Sequence, residues 1–352
     1  MDQLVESFGE GQLLLASGAV VGVVFGLAAY HSRFCLRAAV VEVTGGSLGP
    51  RLAIWLVAFF SALASVQLFV FSGALDLSEA RQLAGIGSVS GAIIGGLLFG
   101  AGMILARGCV SRLLVLSASG NLRAIMTGLV VTLVAQASLR GVLSPARESL
   151  ASLWTISGGQ ARNLATSLNF SPGMVTVMVV STFVLSLFFG WRQKVRPSEL
   201  AAAASVGLAV CAGWVLTYVI AAHSFEVVAI QSVTFTGPST DTLMALVNER
   251  GFPLSFGAGL VPGVFSGALL AALIKREARI QRFEPDVPME RYLAGGVLMG
   301  FGSMLAGGCA VGAGMAGGSI FAVTAWLAVF CMWLGAMATQ WFLSGRRVRQ
   351  AG

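Results

Sequence analysis

Charge is what this sequence has least of. Only 11% of its 352 residues are Asp, Glu, Lys or Arg, while 56% are hydrophobic; a soluble domain carries about a quarter charged residues. That excludes a water-soluble globular fold. The five cysteines contain no Cys-x-x-Cys spacing, which argues against a zinc ribbon or a thioredoxin-like pair. The first eleven residues hold Asp2, Glu6 and Glu10 but no Lys or Arg. A secretory leader needs a positive n-region, so no cleaved signal is expected. The net charge of +7 forms no basic stripe interleaved with stacking aromatics, so it reads as membrane orientation and not as nucleic-acid binding. Acidic residues avoid the interiors of the long apolar runs, Glu199 and Glu290 standing at the first position of theirs and Glu42 outside, and no proton relay is evident.

What the sequence has is apolar length. Runs of spanning size lie at about 12–30, 51–73, 88–107, 121–141, 172–191, 199–222, 252–275, 290–307 and 319–343. A helix needs about 20 apolar residues to cross the hydrocarbon, so nine spans are predicted. Shorter apolar pieces at 35–46, 109–119, 227–247 and 309–317 predict re-entrant half-helices, since such backbone is tolerated at depth only inside protein or along a cavity. The segment 142–171 reads as an amphipathic outer-surface stretch. Basic residues cluster at Arg192, Lys194 and Arg196, around Lys275 to Arg291, and in the tail at Arg346, Arg347 and Arg349. The positive-inside rule places all three clusters in the cytoplasm. The acidic N-terminus and the loops holding Asp76, Glu79, Glu226, Asp241 and Glu249 then fall outside, with the C-terminus inside.

A duplication organises the chain. Gly95–Cys109 aligns without a gap on Gly295–Cys309, and nine of the fifteen positions are identical. An odd number of crossings separates the two copies, so the sequence predicts an all-α polytopic membrane protein of two inverted-topology repeats. Residues 1–141 form the first repeat, 142–198 the outer segment and connector span, and 199–352 the second repeat with its tail. Inverted repeats with broken helices meeting near the midplane are a transporter architecture.

Three cysteines sit at the predicted breaks. Cys35 follows His31-Ser-Arg-Phe, Cys109 follows Ala106-Arg-Gly, and Cys309 follows Ala306-Gly-Gly. Free backbone N–H groups at the start of a half-helix favour an anion, and a thiol placed there suits a soft, polarisable one, with sulfur-containing anions the obvious class. Cys211 and Cys331 lie inside ordinary apolar runs and read as packing residues. Arg33, Arg37, Arg107 and Arg112 flank the first two breaks, where an arginine is costly and tends to be paired or functional. Arg107 stands out because its counterpart in the duplication is Gly307. Gly108, Gly307 and Gly308 adjoin the cysteines, where close backbone approach is expected. Gly22-x-x-x-Gly26, Gly91-x-x-x-Gly95 and Gly96-x-x-x-Gly100 read as helix-packing faces. The counterpart of Cys35 falls near Thr234-Phe-Thr-Gly-Pro238, where either threonine supplies a hydroxyl or caps a helix.

Arg33-Phe-Cys35, Ala106-Arg-Gly-Cys109-Val-Ser-Arg and Leu305-Ala-Gly-Gly-Cys309-Ala-Val-Gly resemble the YeeE/YedE family of sulfur-compound transporters, over nearly the whole chain. The resemblance implies an inner-membrane protein with broken-helix inverted halves and a thiosulfate-like anion as substrate. It also implies that Cys35, Cys109 and Cys309 are the pore cysteines, and that small cytosolic sulfur carriers of the TusA type are partners. Uptake of a small sulfur anion, most simply thiosulfate, is thus expected, with no enzymatic step and no metal or cofactor. Two other readings stay open: a membrane component that takes a sulfane sulfur as cysteine persulfide and hands it to a cytosolic carrier, and a Cu(I) path built on three thiolates.

Overall fold

The computed structural model describes residues 9–224, 226–248, 253–282 and 288–350. Asp2, Glu6 and Glu249 lie outside the described residues, as do the side chains of the tail arginines. In hydrocarbon every backbone polar group must be satisfied within the protein, and an apolar run does so by becoming a helix. Among the described residues nine helical segments are long and apolar enough to cross a membrane, one for each predicted run. The protein is an all-α polytopic membrane protein.

The helices in chain order are α1 (Glu10–Ser32), α2 (Leu36–Thr44), α3 (Pro50–Phe71), α4 (Val89–Leu105), α5 (Val110–Ala118), α6 (Leu122–Arg140), α7 (Pro172–Arg192), α8 (Pro197–Ala222), α9 (Thr236–Asn248), α10 (Phe256–Ile274), α11 (Met289–Leu305), α12 (Ala310–Gly317) and α13 (Val323–Gln350). Three crossings are broken helices: α1 with α2, α4 with α5, and α11 with α12. The last half, α12, winds as a π-helix.

The remaining predicted half-helix is shorter than expected. Only α9 is helical, and residues 226–235 run without regular structure. Side chains of the neighbouring crossing and of the strand itself take over the backbone bonding there. Thr217 Oγ1 donates to the Gln231 carbonyl at 2.6 Å, and Ser232 Oγ donates to the Val210 carbonyl at 2.5 Å. Pro238 then falls in the first turn of α9, where a missing N–H costs nothing.

The glycine motifs are packing faces. A Cβ at Gly22 would stand 2.5 Å from the Leu260 carbonyl oxygen, and one at Gly96 2.7 Å from that of Ala328. Helices α4 and α11 cross with their backbones in contact. Gly95 meets Gly302 and Ala306, while Gly102 meets Gly295 and Met299. Ascending numbers in one helix face descending numbers in the other, so this pair is antiparallel. Other neighbours follow a regular scheme: α1 packs on α10 and α3 on α8, α4 on α13 and α6 on α11, α2 on α3 and α9 on α10, α5 on α6 and α12 on α13. Exchanging α1–α6 in order for α8–α13 reproduces the same list. The connector α7 packs on α3.

The 142–171 segment carries the helix Ser144–Ser152, which buries none of its residues, and the strand Thr155–Ile156, antiparallel to Gly87–Ser88. Arg162 is its anchor. It is 7% exposed and donates to the Gly85 carbonyl at 2.7 Å and to Thr324 Oγ1 at 2.8 Å.

Candidate functional site

Each broken crossing turns at one residue in the left-handed region. Arg33 (φ 54°) ends α1, Arg107 (φ 56°) follows α4, and Gly307 (φ 80°) follows α11. This conformation costs an L side chain roughly 1–2 kcal/mol and glycine almost nothing. The turns after α4 and α11 therefore share one shape, which Gly307 adopts at little cost while Arg107 bears the cost of a side chain. Gly308 is fixed by space, because a Cβ there would lie 2.8 Å from the Ala313 nitrogen.

The residue after each turn starts the second half. Cys35 is the N-cap of α2, Cys109 of α5 and Cys309 of α12, all with extended backbone. Ser, Thr, Asn and Asp are the common residues at this position. The N-terminus of a half-helix carries roughly half a positive charge. Only Cys309 acts as a true cap, its sulfur accepting from the Gly312 N–H at 3.5 Å. Cys109 Sγ instead lies 3.3 Å from Ser111 Oγ. All three thiols are free and buried. Position 235, which precedes α9 as Cys35 precedes α2, holds a fully buried Phe packed on Phe25 at 5.1 Å. Of the two flanking threonines, Thr234 packs against Gly312 beside Cys309, and the Thr236 hydroxyl is buried without a partner among the described residues.

A cavity of about 650 Å³ opens between the first two breaks. Arg33, Cys35 and Arg37 reach it from the first break, Arg107 and Arg112 from the second. Arg51 at the head of α3 and Arg276 and Arg279 from the loop after α10 complete the wall. Seven arginines thus face one carboxylate, Glu277. Arg33, Arg37, Arg51, Arg107 and Arg112 belong to segments long and apolar enough to span a membrane, and an arginine at the centre of a bilayer costs about 2.5–3.5 kcal/mol. Arg37 Nε and Arg112 Nη1 are buried with no hydrogen-bond partner among the described residues. Cys35 lines the cavity and meets the buried Cys109 side chain to side chain, with Arg112 and Arg37 as the charged neighbours of Cys35.

Glu277 is held from the rim. The Tyr30 hydroxyl donates to its carboxylate at 2.7 Å, and Lys275 Nζ sits 5.6 Å from the centre of the Tyr30 ring. That hydrogen bond, with the positive charges of Lys275, Arg33 and Arg279, holds the Glu277 carboxyl below the usual range.

The structure thus unites five residues expected from the sequence: Arg33, Cys35, Arg37, Arg107 and Arg112, with Gly108 between Arg107 and Cys109. Cys309, Gly307 and Gly308 do not line this cavity and form the third break. Sequence reasoning missed Tyr30, Arg51, Arg276, Arg279, Glu277 and Gln281 in its wall. Their one legible signal was the basic cluster of the 275–282 loop.

The comparisons with known proteins concern the chain as a whole. Residues 31–338 match the family described as sulphur transport. The chain belongs to the sulphur-transport family. It is similar to the thiosulfate transporter TsuA of Escherichia coli K12, at 26% identity over 361 aligned positions covering 96% of this chain and 97% of that protein. It is also similar to the thiosulfate transporter TsuA of Spirochaeta thermophila, at 25% identity covering 95% of this chain and all of the relative. Family membership supports transport of sulfur compounds across a membrane and bears out the resemblance carried by the three cysteine motifs.

Proposed function

We propose that this protein takes up a small sulfur anion, thiosulfate first among candidates, across the bacterial inner membrane. The observation that carries this reading is a cavity walled by seven arginines and lined by Cys35, whose thiol meets that of the buried Cys109. The arginines gather a dianion and neutralise it, and the thiols offer its terminal sulfur a polarisable, weakly donating contact. Weak contacts at several sites suit conduction, because a site that binds too tightly does not release. Cys309 at the third break is the next thiol on the path, with Gly307 and Gly308 shaping its approach.

The two halves are inverted repeats in this reading. The gapless alignment of Gly95–Cys109 on Gly295–Cys309, the antiparallel crossing of α4 and α11, and the exchangeable packing list support it. The arginine cavity then faces the cytoplasm with the loop 275–282, the N-terminus lies outside, and a TusA-like sulfur carrier receives the anion. Uptake of labelled thiosulfate, sulfate and sulfite into cells with and without this protein tests the function. Thiosulfate uptake that depends on the protein is expected, and equal uptake of all three in both strains overturns it.

A further inference from the structure

We propose that Cys35 and Cys109 form a reversible dithiol–disulfide site that is oxidised by polythionate dianions drawn into the arginine cavity. Three observations meet there. The two thiols are neighbours although 74 residues apart in a chain whose five cysteines are all free. Cys35 lines the cavity, while Cys109 stands behind it with 1% exposure. That is the arrangement of an attacking and a resolving thiol. The wall selects dianions, and a cavity of about 650 Å³ is in the range that holds drug-sized ligands, so a chain of four sulfurs is not excluded by size.

The chemistry balances with tetrathionate as oxidant. The Cys35 thiolate attacks one of the two inner sulfurs, a Cys35–S bond forms, and the central S–S bond breaks to release one thiosulfate. The Cys109 thiolate then attacks the Cys35 sulfur and expels the second thiosulfate, leaving the Cys35–Cys109 disulfide. Two thiols lose two electrons and two protons. The electrons reduce one tetrathionate to two thiosulfates, and the protons pass to water in the cavity. The two sulfurs must close to about 2.05 Å, which ties the first break to the second and shuts the path between them until a dithiol reductant reopens it. The proposal rests on the transport reading only for its consequence, the block of uptake; the disulfide itself is independent of it.

The test uses the full-length protein in lipid nanodiscs, treated with tetrathionate. Expected are loss of two alkylatable thiols, mapped by mass spectrometry to Cys35 and Cys109, release of two thiosulfates per chain, and full recovery with dithiothreitol. Cys109→Ser should stop at a thiosulfate adduct on Cys35. Arg33→Gln should slow the reaction with tetrathionate by about tenfold, the low end of electrostatic steering, but leave the rate with a neutral diazene oxidant unchanged. Unmodified Cys35 and Cys109 in the wild-type protein, or loss spread evenly over all five cysteines, overturns the proposal whether or not the variants fold. Thiosulfate uptake in vesicles is scored separately. Uptake without disulfide sinks this inference alone, and a disulfide without uptake sinks the transport reading alone.

Discussion

Gly95 and Gly302 meet backbone to backbone: a Cβ on Gly95 would stand 2.5 Å from the Gly302 carbonyl oxygen. Neither helix can retreat without opening the next contact, Gly102 against Gly295. Gly95→Ala should therefore destabilise the protein by about 1–3 kcal/mol, the usual range for overpacking. Gly128→Ala in α6 is the control, since a Cβ there meets nothing within 4 Å and alanine favours a helix by about 1 kcal/mol. Melting in detergent should separate the two in opposite directions.

Arg107 occupies a left-handed turn whose duplicated copy uses Gly307. Arg107→Gly should leave the melting temperature equal or higher, because it removes a backbone cost of roughly 1–2 kcal/mol. It should also cut thiosulfate uptake well below that of Arg192→Ala, whose arginine lies at the end of α7, away from the cavity. Equal uptake by the two variants would reduce Arg107 to a residue that only snorkels.

Cys35→Ser, Cys109→Ser and Cys309→Ser should each lower uptake strongly at near-normal expression, since a hydroxyl is a harder group than a thiol. Cys211→Ser and Cys331→Ser should leave the rate nearly unchanged, each new hydroxyl bonding a helix carbonyl. Uniform behaviour of all five, or normal transport by Cys309→Ser, would make the cysteines packing residues.

The Tyr30–Glu277 bond has a definite pH signature. A carboxyl whose folded pKa is depressed contributes stability above its ordinary value, about 4.3, and loses it as pH falls through the lowered one. The difference in melting temperature between wild type and Tyr30→Phe should be constant through neutral and mildly acid pH and shrink only below about pH 4. A difference that changed around neutrality would place the titrating group elsewhere.

Reporter fusions at the two ends should give opposite signals, outside for the N-terminus and inside for the C-terminus, as nine crossings require. Matching signals would break the inverted-repeat reading.

The crossings were legible because lipid leaves the backbone no alternative to helix, so apolar length alone located all nine. The breaks were legible too, since Cys35, Cys109 and Cys309 each follow an arginine or glycine that ends an apolar run. The cavity was only half legible. Arg37 and Arg112 sit beside cysteines in sequence, but Arg51, Arg279 and Glu277 reach the wall through tertiary packing that no local pattern records. The meeting of Cys35 with Cys109 is of the same kind. The irregular 226–235 strand was missed because its apolar composition suits a helix, while its backbone partners, Thr217 and Val210, lie on α8.

Phe235 has a further consequence. Four half-helix starts were available, and three received a thiol while the fourth received a ring. A soft anion in transit would thus meet two thiols on the arginine side and one beyond it, a lopsided energy profile along the membrane normal. Such a profile cannot move the equilibrium between the two compartments, which for an anion depends on the two concentrations and the membrane potential. It does make the two faces saturate at different substrate levels, so the half-saturation concentration measured from one side should differ from that measured from the other.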